Sequence, residues 1–258
     1  MNVLEIRNFI SGLPESVING DKIFLHDEVI RDIFKFVNLN SSDIFYDLGC
    51  GISNAVLLAS KEFKVAKSVG VDIDTSICKK LESIANQSGL HNVKIINDDL
   101  LNVSLQEASV ILFWFTDEFV IEEAIKKFEK LKDGTKVISI WSPPGSLLPS
   151  KVSFPFFVCE KPFKFANSLS EQILSICGNK CLDFTTAWIL IEKYLNTLNS
   201  VPGQYKRFIN VLQSIILWIN AWNAEVTCED EIPPPVETYV GILRTFFNLD
   251  LTNLIKRK

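Results

Sequence analysis

The sequence predicts an α/β protein: a doubly wound, mostly parallel sheet with an appended α-helical C-terminal region. Three observations carry this. Short apolar runs alternate with segments of helical spacing between Ile44 and Trp141, and strands that are apolar throughout belong to sheets covered on both faces. Glycines and paired acidic residues punctuate the ends of successive runs, where strands turn into helices. From Leu169 onward only helical periodicity remains, broken once at Pro233-Pro234-Pro235.

The elements follow in order. The first 40 residues read as helical in two pieces, the second carrying Val29, Ile30, Ile33, Phe34 and Val37 at helical spacing. Asn40 to Asp43 form a polar break. Strand one is Ile44 to Leu48, followed by a glycine turn and a helix over Asn54 to Glu62. Strand two is Ser68 to Ile73; its helix, from Thr75 to Gln87, stops at Ser88-Gly89. Strand three is Val93 to Ile96 and strand four is Val110 to Phe115. A helix from Glu118 to Leu131 closes at Asp133-Gly134, and strand five is Lys136 to Trp141. Val152 to Ala166, rich in Phe and broken by Pro155 and Pro162, suits an irregular hairpin on the sheet edge. Helices are expected near 168–178, 182–198, 204–223 and 236–247. This divides the chain into an N-terminal helical segment (1–40), a central α/β domain (41–166) and a helical domain (167–258).

Composition bounds the function. Of 258 residues, 47% are hydrophobic and 22% charged, enough to build a core. No apolar run reaches the roughly 18 residues of a membrane span; Phe208 to Trp222 is interrupted by Asn210, Gln213 and Asn220 and reads as a buried helix. Residues 1–150 hold 15 basic and 21 acidic side chains, and residues 151–258 hold 11 and 10. An acidic α/β half argues against sequence-independent nucleic-acid binding, whose affinity comes from neutralising phosphates. The six cysteines are irregularly spaced, and Cys177 and Cys181 lack a second pair or a histidine cluster to complete a zinc site. They read as reduced buried thiols of a cytoplasmic protein. No signal peptide is evident, and no metal is expected. His26 and His91 read as a cap neighbour and an exposed turn residue.

The chemistry-bearing stretch is Asp47-Leu48-Gly49-Cys50-Gly51, between a strand and a helix. A nucleoside ligand lies across the carboxyl ends of parallel strands, where backbone must turn sharply and approach it. Gly49 and Gly51 remove the Cβ atoms that would obstruct this, and Asp47 can accept from a ligand ammonium group. A dinucleotide fingerprint would want a third glycine, and Ser53 stands there. Strand two ends in Gly70-Val71-Asp72-Ile73-Asp74. Asp72 follows Gly51 by 21 residues, the interval at which ribose hydroxyls are bound; Asp74 suits a helix cap. Strand three ends in Asn97-Asp98-Asp99-Leu100, where Asp99, or alternatively Asp98, can accept from an adenine amino group.

These three motifs, with "DIFYDLGCG", "KSVGVDID", "NDDLLNVSLQEASVILFWFTDE" and "FEKLKDGTKVISIW", resemble the Rossmann-like, seven-strand (class I) S-adenosylmethionine-dependent methyltransferases. Residues 41–141 look most like archaeal protein-lysine methyltransferases and their mitochondrial relatives; the helical half carries no resemblance. The resemblance implies S-adenosylmethionine as cofactor. It implies that Asp47, Gly49 and Gly51 hold its methionine part, Asp72 the ribose and Asp99 the adenine. It places Phe115, Thr116 and Asp117 on the acceptor side and implies a protein acceptor. Two departures are evident: Ile52-Ser53-Asn54 where relatives carry an Asp-Gly-Arg-like sequence, and Ser139-Ile140-Trp141-Ser142 where relatives often carry Ser-His-x-Phe. Ser142-Pro143-Pro144-Gly145 is similar to the proline-proline loop of nucleobase amino-methyltransferases, but it follows strand five and reads as a turn.

The expected activity is methyl transfer to protein lysine. The alternatives are a small-molecule or RNA methyltransferase, or a non-catalytic cofactor-binding scaffold. A lysine acceptor must be neutral to attack, and its ordinary pKa is about 10.4. Phe113, Trp114, Phe115 and Trp141 either line an apolar channel or are core, with core favoured for Phe113 and Trp114. Asp117 and Glu118 either orient the incoming ammonium or open a helix. Trp188, Trp218 and Trp222 read as core of the helical half, which suits a lid, an acceptor-recognition module or an oligomerisation surface.

Overall fold

The computed structural model describes residues 24–52, 54–178, 180–197 and 203–256. The first of the two expected N-terminal helices lies outside the described residues, as does Ser53. Among the described residues the chain forms two compact units, one of Phe24–Asn167 and one beginning at Ser168.

The first unit opens with helix α1 (Asp27–Val37), whose buried face is Ile30, Ile33, Phe34 and Val37. It ends at Asn38, whose left-handed backbone turns N–H groups onto the last carbonyls. Then β1 (Ile44–Leu48), α2 (Ala55–Lys61), β2 (Lys67–Asp72), α3 (Thr75–Gln87), β3 (Val93–Asn97), β4 (Val110–Phe113), α4 (Glu118–Phe128) and β5 (Lys136–Ile140) alternate. They are followed by short strands β6 (Leu147–Leu148), β7 (Lys151–Ser153), β8 (Phe156–Glu160) and β9 (Lys164–Phe165).

The main sheet has the order β3-β2-β1-β4-β5-β8-β7. Its first five strands are parallel, and β8 and β7 run antiparallel at the edge. The Phe-rich stretch is thus the hairpin expected, with a separate β6–β9 pair beside it. The order reverses between β2-β1 and β1-β4. Such a switch point opens a crevice beyond the carboxyl ends of the strands, because the flanking helices depart to opposite faces. Strands β1, β4 and β5 are buried almost throughout, which is why they read as continuous apolar runs.

The second unit holds α5 (Leu169–Ile176), α6 (Phe184–Thr197), α7 (Gly203–Asn223) and α8 (Pro234–Phe247), then a single 3₁₀ turn at Thr252–Leu254. Its core gathers Leu182, Ala187, Ile191, Ile215, Trp218, Trp222, Val236 and Leu243. Trp218 and Trp222 are core as expected, whereas Trp188 is half-buried and stacks on Tyr239 at 5.6 Å.

One expectation is corrected here. The cysteines are not all reduced: Cys181 and Cys228 form a disulfide across 47 residues of chain. Leu182 forms a parallel bridge with Thr227, and this non-local pairing brings the two cysteines to a Cα separation of 5.0 Å. Cys50, Cys78 and Cys159 are buried and Cys177 is half-buried, all four outside any disulfide. No helix among the described residues is long and apolar enough to cross a membrane.

Candidate functional site

The three sequence motifs meet at the carboxyl edge of β1, β2 and β3. Register pairs Leu48 with Val71 and Asp72 with Asn97, so the strands end level with one another. Beyond β1 the chain turns through Gly49 and Gly51, both with positive φ (72° and 50°). An L side chain is strained there. The turn is tied to β2, since Gly49 N–H and Cys50 N–H both donate to the Val71 carbonyl, at 2.8 and 3.0 Å.

Asp72 is the hub. Its Oδ2 accepts from Gly51 N–H at 2.7 Å and its Oδ1 from Asp74 N–H at 2.9 Å. A carboxylate offers about four acceptor sites, so half of them remain for a ligand. Asp74 is the cap of α3, accepting from Ser76 and Ile77 N–H. Asp47 is buried, 3% exposed, at the end of β1.

Asp98 and Asp99 are both exposed and differ in what they do. Asp98 Oδ1 accepts from Asn102 Nδ2 and from Asp99 N–H, which holds its carboxyl below the usual range. Asp99 Oδ1 accepts from Leu101 N–H at 2.8 Å. On the acceptor side, Asp117 caps α4 through Oδ1 to Val120 N–H at 2.9 Å. Thr116 is exposed, and Phe115 and Trp114 are half-buried. Trp114 is therefore not the closed core residue expected, whereas Phe113 is, at 2% exposure. β4 ends at Phe113, two residues earlier than its apolar pattern suggests, because Phe115 leaves the sheet to lie over Gly49.

Several residues hold this edge together in ways the sequence did not show. Asn97 donates from Nδ2 to the carbonyls of Asp72 and Ile73, both at 3.0 Å, and accepts from Thr75 Oγ1. Lys127, on α4, donates to the carbonyls of Leu100, Leu101 and Val103, bracing the loop that begins at Asp99. Burial pushes the Lys127 ammonium below its ordinary pKa. Trp141, just past β5, has φ of 79°, a conformation a bulky residue adopts at a cost of about 1–3 kcal/mol. Its N–H is held by the Pro155 carbonyl at 2.8 Å and its ring packs edge-on to Phe154. None of these is a local pattern. Ile73 and Phe119, however, are large apolar residues that stand 75% and 65% exposed beside the motifs.

The edge suits an adenosyl sulfonium. A Cβ placed on Gly51 would meet nothing nearer than the Gly49 carbonyl oxygen at 3.9 Å. Open space therefore adjoins a strained bare backbone, with carboxylates at the tips of β1 and β2 and just past β3.

Comparison with known proteins agrees. The family model described as "Histone methylation protein DOT1" matches residues 24–151. A protein-lysine N-methyltransferase of Saccharolobus islandicus (strain REY15A) is 35% identical over 117 residues, which make up 44% of this chain and 71% of that protein. The chain belongs to the class I S-adenosylmethionine-dependent methyltransferases. The cofactor of this methyltransferase is S-adenosylmethionine. A histone-lysine N-methyltransferase of Kluyveromyces lactis, H3 lysine-79 specific, is 31% identical over 145 residues, 47% of this methyltransferase but 25% of that protein. The crystal structure of an RNA methyltransferase from Salinibacter ruber, in complex with S-adenosyl-L-homocysteine, shares the fold. Its TM-score is 0.50 at 23% identity, over 56% of this chain and 97% of that one.

Proposed function

We propose that this methyltransferase acts on lysine side chains of proteins. The observation that carries the reading is the 35% identity to a protein-lysine N-methyltransferase across 71% of that relative's length. The site geometry supports it. When bound, S-adenosylmethionine supplies an electrophilic methyl group on a sulfonium.

In this reading Asp47, with the bare backbone of Gly49 and Gly51, receives the methionine part of the cofactor. Asp72 accepts from the ribose hydroxyls with the lone pairs that Gly51 and Asp74 leave open. Asp99 accepts from the adenine amino group through Oδ2, and Ile73 offers an apolar face to the ring. Asp98 accepts two hydrogen bonds from its own turn and Asp99 one, which favours Asp99 of the two.

The acceptor side falls to Phe115, Thr116 and Asp117. Phe115 and Trp141 stand at the ends of the neighbouring strands β4 and β5, with Phe119 exposed at the start of α4. Aromatic walls disfavour the charged form of an amine by desolvation, so they shift a lysine toward the neutral nucleophile. Asp117 keeps Oδ2 to orient the entering group while Oδ1 caps α4. Holding the amine about 3 Å from the methyl carbon supplies much of the acceleration.

The test is incubation with methyl-labelled cofactor and cell extract, followed by amino-acid analysis. Label recovered as methyl-lysine is the expected result. Label that disappears with RNase, or none at all from folded protein that binds the cofactor, would overturn the lysine reading.

A further inference from the structure

Ser139, on β5, is 3% exposed, and its Oγ has no hydrogen-bond partner among the described residues. Ser60, Ser68, Thr135 and Ser214 are buried too, and each donates to a described neighbour. An unpaired buried polar group costs about 1–3 kcal/mol, so folded proteins keep few of them, and one that persists calls for a use.

The place of this hydroxyl in the sheet suggests one. Side chains alternate along a strand, so Ser139 shares a face with Val137, while Lys136 reaches the Val37 carbonyl of α1 on the other. Val137 belongs to one apolar cluster with Phe113 and Phe128. The β4–β5 register pairs Leu112 with Ile138, and one step further sets Phe113 level with Ser139. On the other side β8 sets Phe157 opposite it. Ser139 thus interrupts an aromatic row at the carboxyl end of the sheet. The next residues on that face are Phe115 and Trp141, and they part. Phe115 lies over Gly49, toward β1. Trp141, turned by its φ of 79° and held by the Pro155 carbonyl, packs against Phe154 in the β7–β8 turn. Two strand spacings, about 10 Å, separate β1 from β5. Ser139 lies at the base of the interval between the two rings.

We infer that Ser139 positions the acceptor amine, an N–H of which donates to its Oγ; this deepens the lysine reading above and rests on it. An amine that attacks a methyl carbon must aim its lone pair at that carbon, so its N–H bonds are what the protein can hold. One acceptor oxygen in an aromatic wall fixes which way they point. In desolvated surroundings that single bond is stronger than it would be in water.

The test compares three variants of the full-length protein in the labelled-cofactor assay with cell extract, scored as methyl-lysine at low and at high extract. Ser139→Ala is expected to slow its formation about tenfold at both, because orientation rather than affinity is lost; tenfold is about 1.4 kcal/mol, the worth of one hydrogen bond. Its melting temperature should hold or rise, since an apolar group replaces an unpaired polar one, and calorimetry should find cofactor affinity unchanged. Ser139→Thr restores a hydroxyl and should exceed Ser139→Val, which has the same shape without one, by a similar factor. Methyl-lysine formed as fast by Ser139→Ala as by wild type, or by Ser139→Val as by Ser139→Thr, would overturn the role. So would a melting temperature that falls in Ser139→Ala, which marks a hydroxyl bonded within the core. A wild type that binds cofactor and yields no methyl-lysine is instead a failure of the lysine reading, and the role of Ser139 falls with it.

Discussion

The ring of Phe115 occupies the place where residue 49 would carry a side chain. A Cβ built on Gly49 stands 2.6 Å from Phe115 Cζ and 3.2 Å from Cε2. The two residues follow the ends of neighbouring parallel strands, since β1 and β4 pair Leu48 with Phe113. The glycine is thus required twice, once by its backbone angle and once by a residue 66 positions away.

Gly49→Ala is therefore expected to lower both stability and cofactor affinity, and more than a turn glycine usually does. Left-handed backbone costs an L residue roughly 1–2 kcal/mol, and displacing a packed ring adds to that. The variant Gly49→Ala, Phe115→Leu separates the two terms. It should recover part of the melting temperature and leave the backbone part unrecovered. Full recovery in a thermal melt would mean that φ costs nothing here.

Asp72→Ala removes an acceptor on which two N–H groups converge, those of Gly51 and Asp74. Cofactor affinity should fall by about 1–3 kcal/mol, the usual cost of unpairing buried polar groups. Titration calorimetry measures it. Unchanged affinity would move the ribose elsewhere on the edge.

Lys127→Met keeps the aliphatic stem and deletes the ammonium that three carbonyls share. The loop from Leu100 to Val103 should loosen, and with it Asp99. A stability loss of roughly 1–3 kcal/mol, accompanied by weaker cofactor binding, is the expected result. A melt that shifts without any change in cofactor affinity would show that the loop does not report to the adenine side.

A pH dependence follows from Glu107. It accepts from Tyr46 Oη at 2.8 Å and pairs with Lys67, joining β1 and β2 to the segment before β4. The Lys67 pair, then the Tyr46 bond, holds its carboxyl below the usual range. A group whose pKa is lower in the folded state stabilises fully above its unfolded value, about 4.3 for Glu. That contribution disappears as pH falls through the lower folded value. Burial first and the Glu107 bond second raise the Tyr46 hydroxyl, so it remains a donor across this window. Glu107→Gln should flatten the acid side of a plot of melting temperature against pH and leave the neutral side nearly parallel. An acid limb of unchanged slope would remove Glu107 from the account.

Much of the site was legible because strand burial writes itself locally. β1, β4 and β5 are mostly apolar and buried almost throughout, as strands covered on both faces are, and the glycines after β1 mark its turn. Asp74 was readable as a cap because a cap acts within three residues. Asn97, Lys127 and the Phe115–Gly49 contact were not, because each acts across 20 residues or more of chain. Their residue types are ordinary at those positions. Trp114 was misread for a related reason: apolar strand composition says that a residue is covered, but the strand had already ended. The disulfide was missed on the same ground, since only the Leu182–Thr227 bridge reveals that its two cysteines are neighbours.

That disulfide gives the last expectation. Closing 47 residues removes chain entropy from the unfolded state, worth about 4 kcal/mol in the loop-closure model. Both cysteines are exposed, so a mild reductant reaches them without unfolding. Reduction, or the pair Cys181→Ser and Cys228→Ser, should lower the stability of the helical unit by up to that amount. Trp218 and Trp222 are in its core and at most 5% exposed, so with Trp114 and Trp141 of the other unit replaced by Phe, the red shift of tryptophan emission during denaturant titration reports the helical unit. Phe24–Asn167 contains neither cysteine, and cofactor affinity should not move. A denaturation midpoint that reductant leaves in place would mean that the Leu182–Thr227 pairing and the Glu229 clamps already hold the two segments without the bond.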